Sequence, residues 1–209
     1  VNRASEFALA LTIPATVAFL AIPGLITGVL FERGAFGAED RAETAFALAV
    51  YALGLPAFVL QKIAQPVYFS REDTRTPLRY AVVAMVVNAA VAIGLAPLVG
   101  YIAAALGTTL AAWVNLALLW RGAGAVGADL SPDARLAHRL PRVLLASALM
   151  GAALVAGAAL AAPLGAGWRP LVLAALVLGG LAVYAGGAAA LGALRPAELR
   201  AALRRGGPR

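Results

Sequence analysis

Six apolar runs, each about long enough to cross a bilayer as a helix, dominate this chain. They cover approximately residues 7–31, 45–69, 78–96, 102–120, 143–162 and 171–194. A hydrocarbon core about 30 Å thick takes about 20 helical residues at 1.5 Å each. Inside it every backbone polar group needs an internal partner, which leaves helices or closed barrels. The runs are continuous rather than alternating, so they read as helices. The expected fold class is an all-α integral membrane protein with six transmembrane helices. Composition agrees: 62% hydrophobic, 13% charged, mean hydropathy +0.87. A soluble domain carries about 45–50% apolar and about 25% charged residues.

Charge is the next constraint. The net charge is +7, but the arginines lie between the apolar runs, where they act as topology signals and not as a nucleic-acid surface. With the start inside, thirteen of the 17 basic residues fall on one side. Only Arg33, Arg41 and Arg169 fall on the other, and Lys62 lies within a run. Both ends are therefore expected in the cytoplasm. The chain opens on VNRASEF with no initiator Met and no signal-peptide pattern, which reads as the C-terminal part of a longer membrane protein. Cysteine is absent, so disulfides and thiolate metal sites are excluded. The lone His138 reads as a surface residue. Glu32, Glu39, Asp40 and Glu43 read as solvated loop charges, with Asp40 able to cap the second helix. No nucleophile elbow, phosphate loop or metal-ligand pattern occurs, so neither an enzyme nor a cofactor is expected.

Polar residues inside the runs carry the functional signal, because they are expensive in lipid and usually face protein or a water-filled cavity. Lys62 lies eight residues before Ser70. Gln61, Gln65 and Tyr68 follow i, i+4, i+7 spacing on one face. This donor-rich stretch suits an anionic, sugar-bearing substrate; a snorkelling Lys beside an interhelical Gln is the plainer alternative. A charged turn follows, with Arg71, Glu72, Asp73 and Arg75 as its cytoplasmic loop. Asn88 and Thr108 are expected to face each other across two antiparallel helices, the small residues Ala103, Ala104, Gly107 and Ala111 permitting close approach. That pair is a weak cation candidate, since position 92 is Ala and no carboxylate lies a turn away; an interhelical hydrogen bond is the plainer reading. Pro14 and Pro23 should kink the first helix, and Gly54-Leu55-Pro56 should bend the second.

The domain reading is four transmembrane helices over residues 1–120 and a hydrophilic loop over 121–142. Two further spans cover 143–194, and a basic tail covers 195–209. The loop should carry a short interfacial helix capped by Ser131, with Pro132 in its first turn. Trp168 should anchor the turn between the last two spans. Those spans are rich in Ala and Gly and should contact membrane lipids.

Two strings carry a family resemblance. Lys62, Pro66, Tyr68, Phe69, Ser70, Asp73, Thr76 and Pro77 match a helix-to-loop segment of the MurJ (MviN) lipid II flippases. Pro23, Leu30, Phe31, Gly34 and Phe36 match a second one. The resemblance implies helices nine to fourteen of a fourteen-helix flippase, with the N-terminal half of the protein as an intramolecular partner. It implies a lipid-linked peptidoglycan precursor, moved from the inner to the outer leaflet of the bacterial plasma membrane by alternating access. It also implies that the last two helices line a groove for the lipid tail. A related exporter of another polyprenyl-linked glycan or a small molecule, and a non-transporting scaffold, are the alternatives. A drug antiporter would be expected to carry an intramembrane carboxylate, and a scaffold would not need Lys62.

Overall fold

A computed structural model describes residues 2–127, 130 and 133–192. Its helices are α1 (Asn2–Ala21), α2 (Pro23–Phe31), α3 (Ala38–Ala52), α4 (Leu55–Phe69), α5 (Arg75–Val99), α6 (Ile102–Gly122), α7 (Ala134–Ala161) and α8 (Arg169–Ala190). Short 3-10 turns follow α6 and precede α8. No strand occurs among the described residues. Among the described residues six helices are long and apolar enough to cross a membrane, α3 and α4 together forming one. The all-α, six-span expectation holds.

The helix boundaries refine that expectation. The first span breaks at Ile22 (φ −133°, ψ 42°), where Pro23 opens α2. The second breaks between Ala52 and Leu55. At the head of α3, the Asp40 carboxylate accepts the Gly37 N–H at 2.8 Å. The interfacial helix expected within 121–142 is not a separate element: α7 runs unbroken from Ala134 through Pro141 to Ala161. Asp133 caps it, its carboxylate accepting the Leu136 N–H at 2.7 Å. The Ser131 cap, the Pro132 first turn and the basic tail 195–209 lie outside the described residues.

Packing falls into three apolar cores. The largest joins α1, α7 and α8 through Ala10, Ile13, Val143, Ala146, Met150 and Leu154. Two smaller ones seat α4 on α6, around Ala57, Leu60, Ala112 and Leu116 and around Ala64, Tyr68 and Leu119. α5 lies along α6, and backbone proximity decides that contact. A Cβ on Gly107 would come within 2.7 Å of Asn88 Oδ1 and 2.8 Å of the Asn88 carbonyl. The other side of α5 exposes Leu78, Val82, Met85, Val86 and Ile93.

Candidate substrate face and its supports

The site begins with the broken second span. Pro56 has no N–H to offer the Ala52 carbonyl four residues earlier. The Gly54 N–H turns to Tyr51 O at 2.9 Å, leaving the Val50 carbonyl without its helical partner. Each freed group is caught by a neighbouring helix. Thr16 Oγ1 of α1 donates to Ala52 O at 3.2 Å. From α6, Thr109 Oγ1 donates to Val50 O at 2.9 Å and Trp113 Nε1 to Leu53 O at 3.0 Å. This is how a membrane helix tolerates a break: side chains of its neighbours replace the lost ladder bonds. The break is thereby held, and it sets the direction in which α4 leaves it.

Along α4 the expected polar residues divide between two directions. Gln61 is buried: its Nε2 donates to Ala112 O at 2.6 Å, and its Oε1 accepts from Asn115 Nδ2 at 2.9 Å. Tyr68 is fully buried and donates to Leu119 O at 2.5 Å. Its ring meets Tyr80 edge-on at 6.5 Å between centroids. Gln61 and Tyr68 therefore fasten α4 to α6, and the donors expected to face a substrate at these two positions are directed at that helix instead. Gln65 is half-buried, and Lys62 is exposed. Lys62 thus projects off the bundle from within the span, about 12 Å along the axis from the helix end.

Asn88 and Thr108 line one crevice of about 230 Å³ with Phe58, Gln61, Met85 and Asn115. The Thr108 hydroxyl donates to Ala104 O of its own helix at 2.9 Å. Asn115 is 8% exposed, and its Oδ1 has no partner. The crevice is lined by neutral amides and one hydroxyl, without a carboxylate. Among the described residues no cluster of three His, Cys, Asp or Glu could hold a metal.

The turn after α4 is shaped by its own backbone. Glu72 adopts φ 59°, a left-handed conformation unusual outside glycine. The Asp73 N–H bonds Tyr68 O at 3.2 Å, and Asp73 Oδ1 accepts the Thr76 N–H at 3.0 Å, capping α5. Hydrogen bonds from the Thr76 side chain and backbone hold the Asp73 carboxyl below the usual aspartate range. Arg71 Nη2 donates to Gly127 O at 2.9 Å, tying this loop to the turn after α6. Arg75 opens α5 and is exposed.

Two ionic clusters were not anticipated. Glu32, expected as a solvated loop charge, accepts from Arg41 Nη1 at 2.9 Å and Arg169 Nη1 at 2.8 Å. Near the chain start, Glu6 pairs with Arg139 and, at 3.4 Å, with Arg135. The available signal was a carboxylate at the very edge of the first apolar run, which is costly to bury unless paired. The identity of its partners, more than a hundred residues away, is a tertiary fact.

Known proteins resemble this chain along most of its length. A family model described as "Lipid II flippase MurJ" matches residues 1–173. A probable lipid II flippase MurJ of Rhizobium meliloti (strain 1021) is 39% identical across 98% of this chain and 39% of its own length. The corresponding protein of Rhizobium tropici is 39% identical across 88% of this chain and 35% of its own. A solved structure, "Lipid II flippase MurJ, inward closed conformation", superposes with TM-score 0.72 at 23% identity. That match covers 90% of this chain and 37% of the other. The chain thus spans about two fifths of the length of the relatives it matches.

Proposed function

Given that the chain belongs to the MurJ family of lipid II flippases, we propose that it is the C-terminal part of such a flippase. In the bacterial plasma membrane the whole protein moves a polyprenyl-pyrophosphate-linked peptidoglycan precursor from the inner to the outer leaflet by alternating access. The family match over residues 1–173 carries this reading. The work is transport, with no covalent step asked of these residues. Both ends of the fragment lie in the cytoplasm, and the N-terminal part of the same protein supplies the facing half of the cavity.

Lys62 is the substrate-facing residue of this part. A Lys inside a span costs about 2.5–3.5 kcal/mol on insertion scales, and Met offers similar length without that cost. Its outward placement on α4 supports a position on the cavity wall, with Gln65 beside it. Gln61 and Tyr68 serve the same face indirectly by holding α4 against α6. An ammonium is a point-charge partner for pyrophosphate, so a guanidinium substitutes in part. The last two helices serve the lipid tail. α1, α7 and α8 enclose an apolar crevice of about 280 Å³, with Leu11, Ile22, Met150, Leu154 and Leu181 among its walls.

The test is Lys62→Met beside Lys62→Arg in the full-length protein, with precursor translocation and thermal stability in detergent both measured. Lys62→Met should fold at least as well as the parent and lose translocation; Lys62→Arg should retain part of it. Normal translocation by Lys62→Met would reduce Lys62 to an interfacial anchor.

A further inference from the structure

The break at Ile22–Pro23 looks like an elbow, yet α7 and α8 cross it on one side and hold both arms. At the near end of α1, Glu6 is bound by Arg139 and Arg135; Glu6 and Arg139 are each 8% exposed. Midway, Pro14 leaves the Ala10 carbonyl without an N–H partner, and the Tyr184 hydroxyl of α8 donates to it at 2.5 Å. Beyond the break, Glu32 follows directly on α2 and accepts from Arg169, the first residue of α8, at 2.8 Å.

One unbroken helix therefore grips α1 below the bend and the end of α2 above it. α8 has 22 residues, about 33 Å of helix. Bending at Ile22 would move one contact relative to the other and break the Tyr184 or the Glu32 bond. α7 reinforces the grip: a Cβ on Gly151 would meet Val17 Cγ1 at 2.6 Å, so the Val17 side chain fills the space that this glycine leaves on α7. The kink expected from Pro14 and Pro23 is by this account a fixed shape.

We propose that α7 and α8 are a splint across the α1–α2 elbow, with Glu6, Tyr184 and Glu32 as its positioning residues. These four helices then travel as one body when the protein changes state. The splint goes beyond the flippase reading and depends on it only where lipid II is added or its translocation is measured.

The experiment uses the full-length protein. Spin labels at Ala4 and Leu30, exposed on either side of the bend, report the elbow by pulsed dipolar spectroscopy. The parent should show one narrow distance, unchanged by added lipid II. Tyr184→Phe combined with Glu32→Ala should lose that single distance, and Glu32→Asp in place of Glu32→Ala should narrow it again to the width of Tyr184→Phe alone. Should the combined variant not fold, Tyr184→Phe alone removes only the hydroxyl and should broaden the same distance. A parent distance that shifts with lipid II, or variants as narrow as the parent, would overturn the splint. Independently, a disulfide between Val17→Cys and Gly151→Cys should leave translocation intact. Translocation lost on oxidation and regained on reduction would show that α1 must slide on α7. If the parent itself moves no lipid II, the flippase reading fails while the label distances still judge the splint.

Discussion

At the scale of single residues, two positions make sharp predictions. Gly107 has no room for a methyl group, because Asn88 Oδ1 and the Asn88 carbonyl both lie within 2.8 Å of where a Cβ would sit. Gly107→Ala should force α5 away from α6 and cost about 1–3 kcal/mol, read as a lowered melting temperature in detergent. Asp73 predicts a pH effect. Its carboxyl titrates below the unfolded value of 3.8, so the folded state favours the charged form. The cap's contribution is full above 3.8 and fades as pH falls through the lower folded value. Hydrogen-exchange protection in the first turn of α5, taken relative to the intrinsic rate at each pH, should fall over that acid range, and Asp73→Ala should lower it at neutral pH. Gly107 was legible in the sequence as one of a set of small residues facing a neighbour. The buried work of Gln61 and Tyr68 was not. Their spacing placed them on one face of α4, but spacing alone cannot say whether that face meets a cavity or another helix.

At the scale of elements, the broken second span shows which part of the fold is local. Gly54 and Pro56 announced the break: Pro56 removes a donor, and Gly54 leaves room for Phe58 and the Thr109 backbone, which a Cβ would meet at 3.1 and 3.5 Å. What secures it comes from elsewhere: Thr16 lies 36 residues from the carbonyl it binds, Thr109 59 and Trp113 60. Sequence periodicity has no term for such long-range repairs, whereas the six spans themselves follow from apolar length alone. Thr109→Val keeps the shape and deletes the hydroxyl, leaving the Val50 carbonyl bare in apolar surroundings. It should cost about 1–3 kcal/mol, while Thr109→Ser should be nearly neutral; thermal unfolding of both variants compares them. The merger of the expected interfacial helix into α7 has a similar origin. Pro141 marks a place where a helix often stops, yet this one continues, with Val143 and Ala146 buried in the core shared by α1 and α8.

For the whole molecule, the contacts sort the loops into two ends. Glu32 and Arg169 put the 32–37 and 162–169 turns together. Arg71 and Gly127 put the 70–74 turn with the end of α6. With the arginine asymmetry, the second group is proposed to be cytoplasmic. Single cysteines at Gly37 and Gly165 should then react with impermeant thiol reagents in intact cells, and those at Ser70 and Gly124 should not; labelling of Ser70→Cys would invert the topology. The Tyr184–Ala10 bond spans 174 residues, and that distance is also a delay. Ribosomes add about 5–20 residues per second, so the first span waits roughly 10–35 s for the hydroxyl that satisfies its proline-freed carbonyl. During synthesis α1 must be sheltered by the insertion machinery or by a temporary partner. Ribosome-stalled chains that still hold Tyr184 in the exit tunnel should therefore leave α1 more open to protease and extraction than chains extended until α8 has emerged, which makes α8 the step that commits α1.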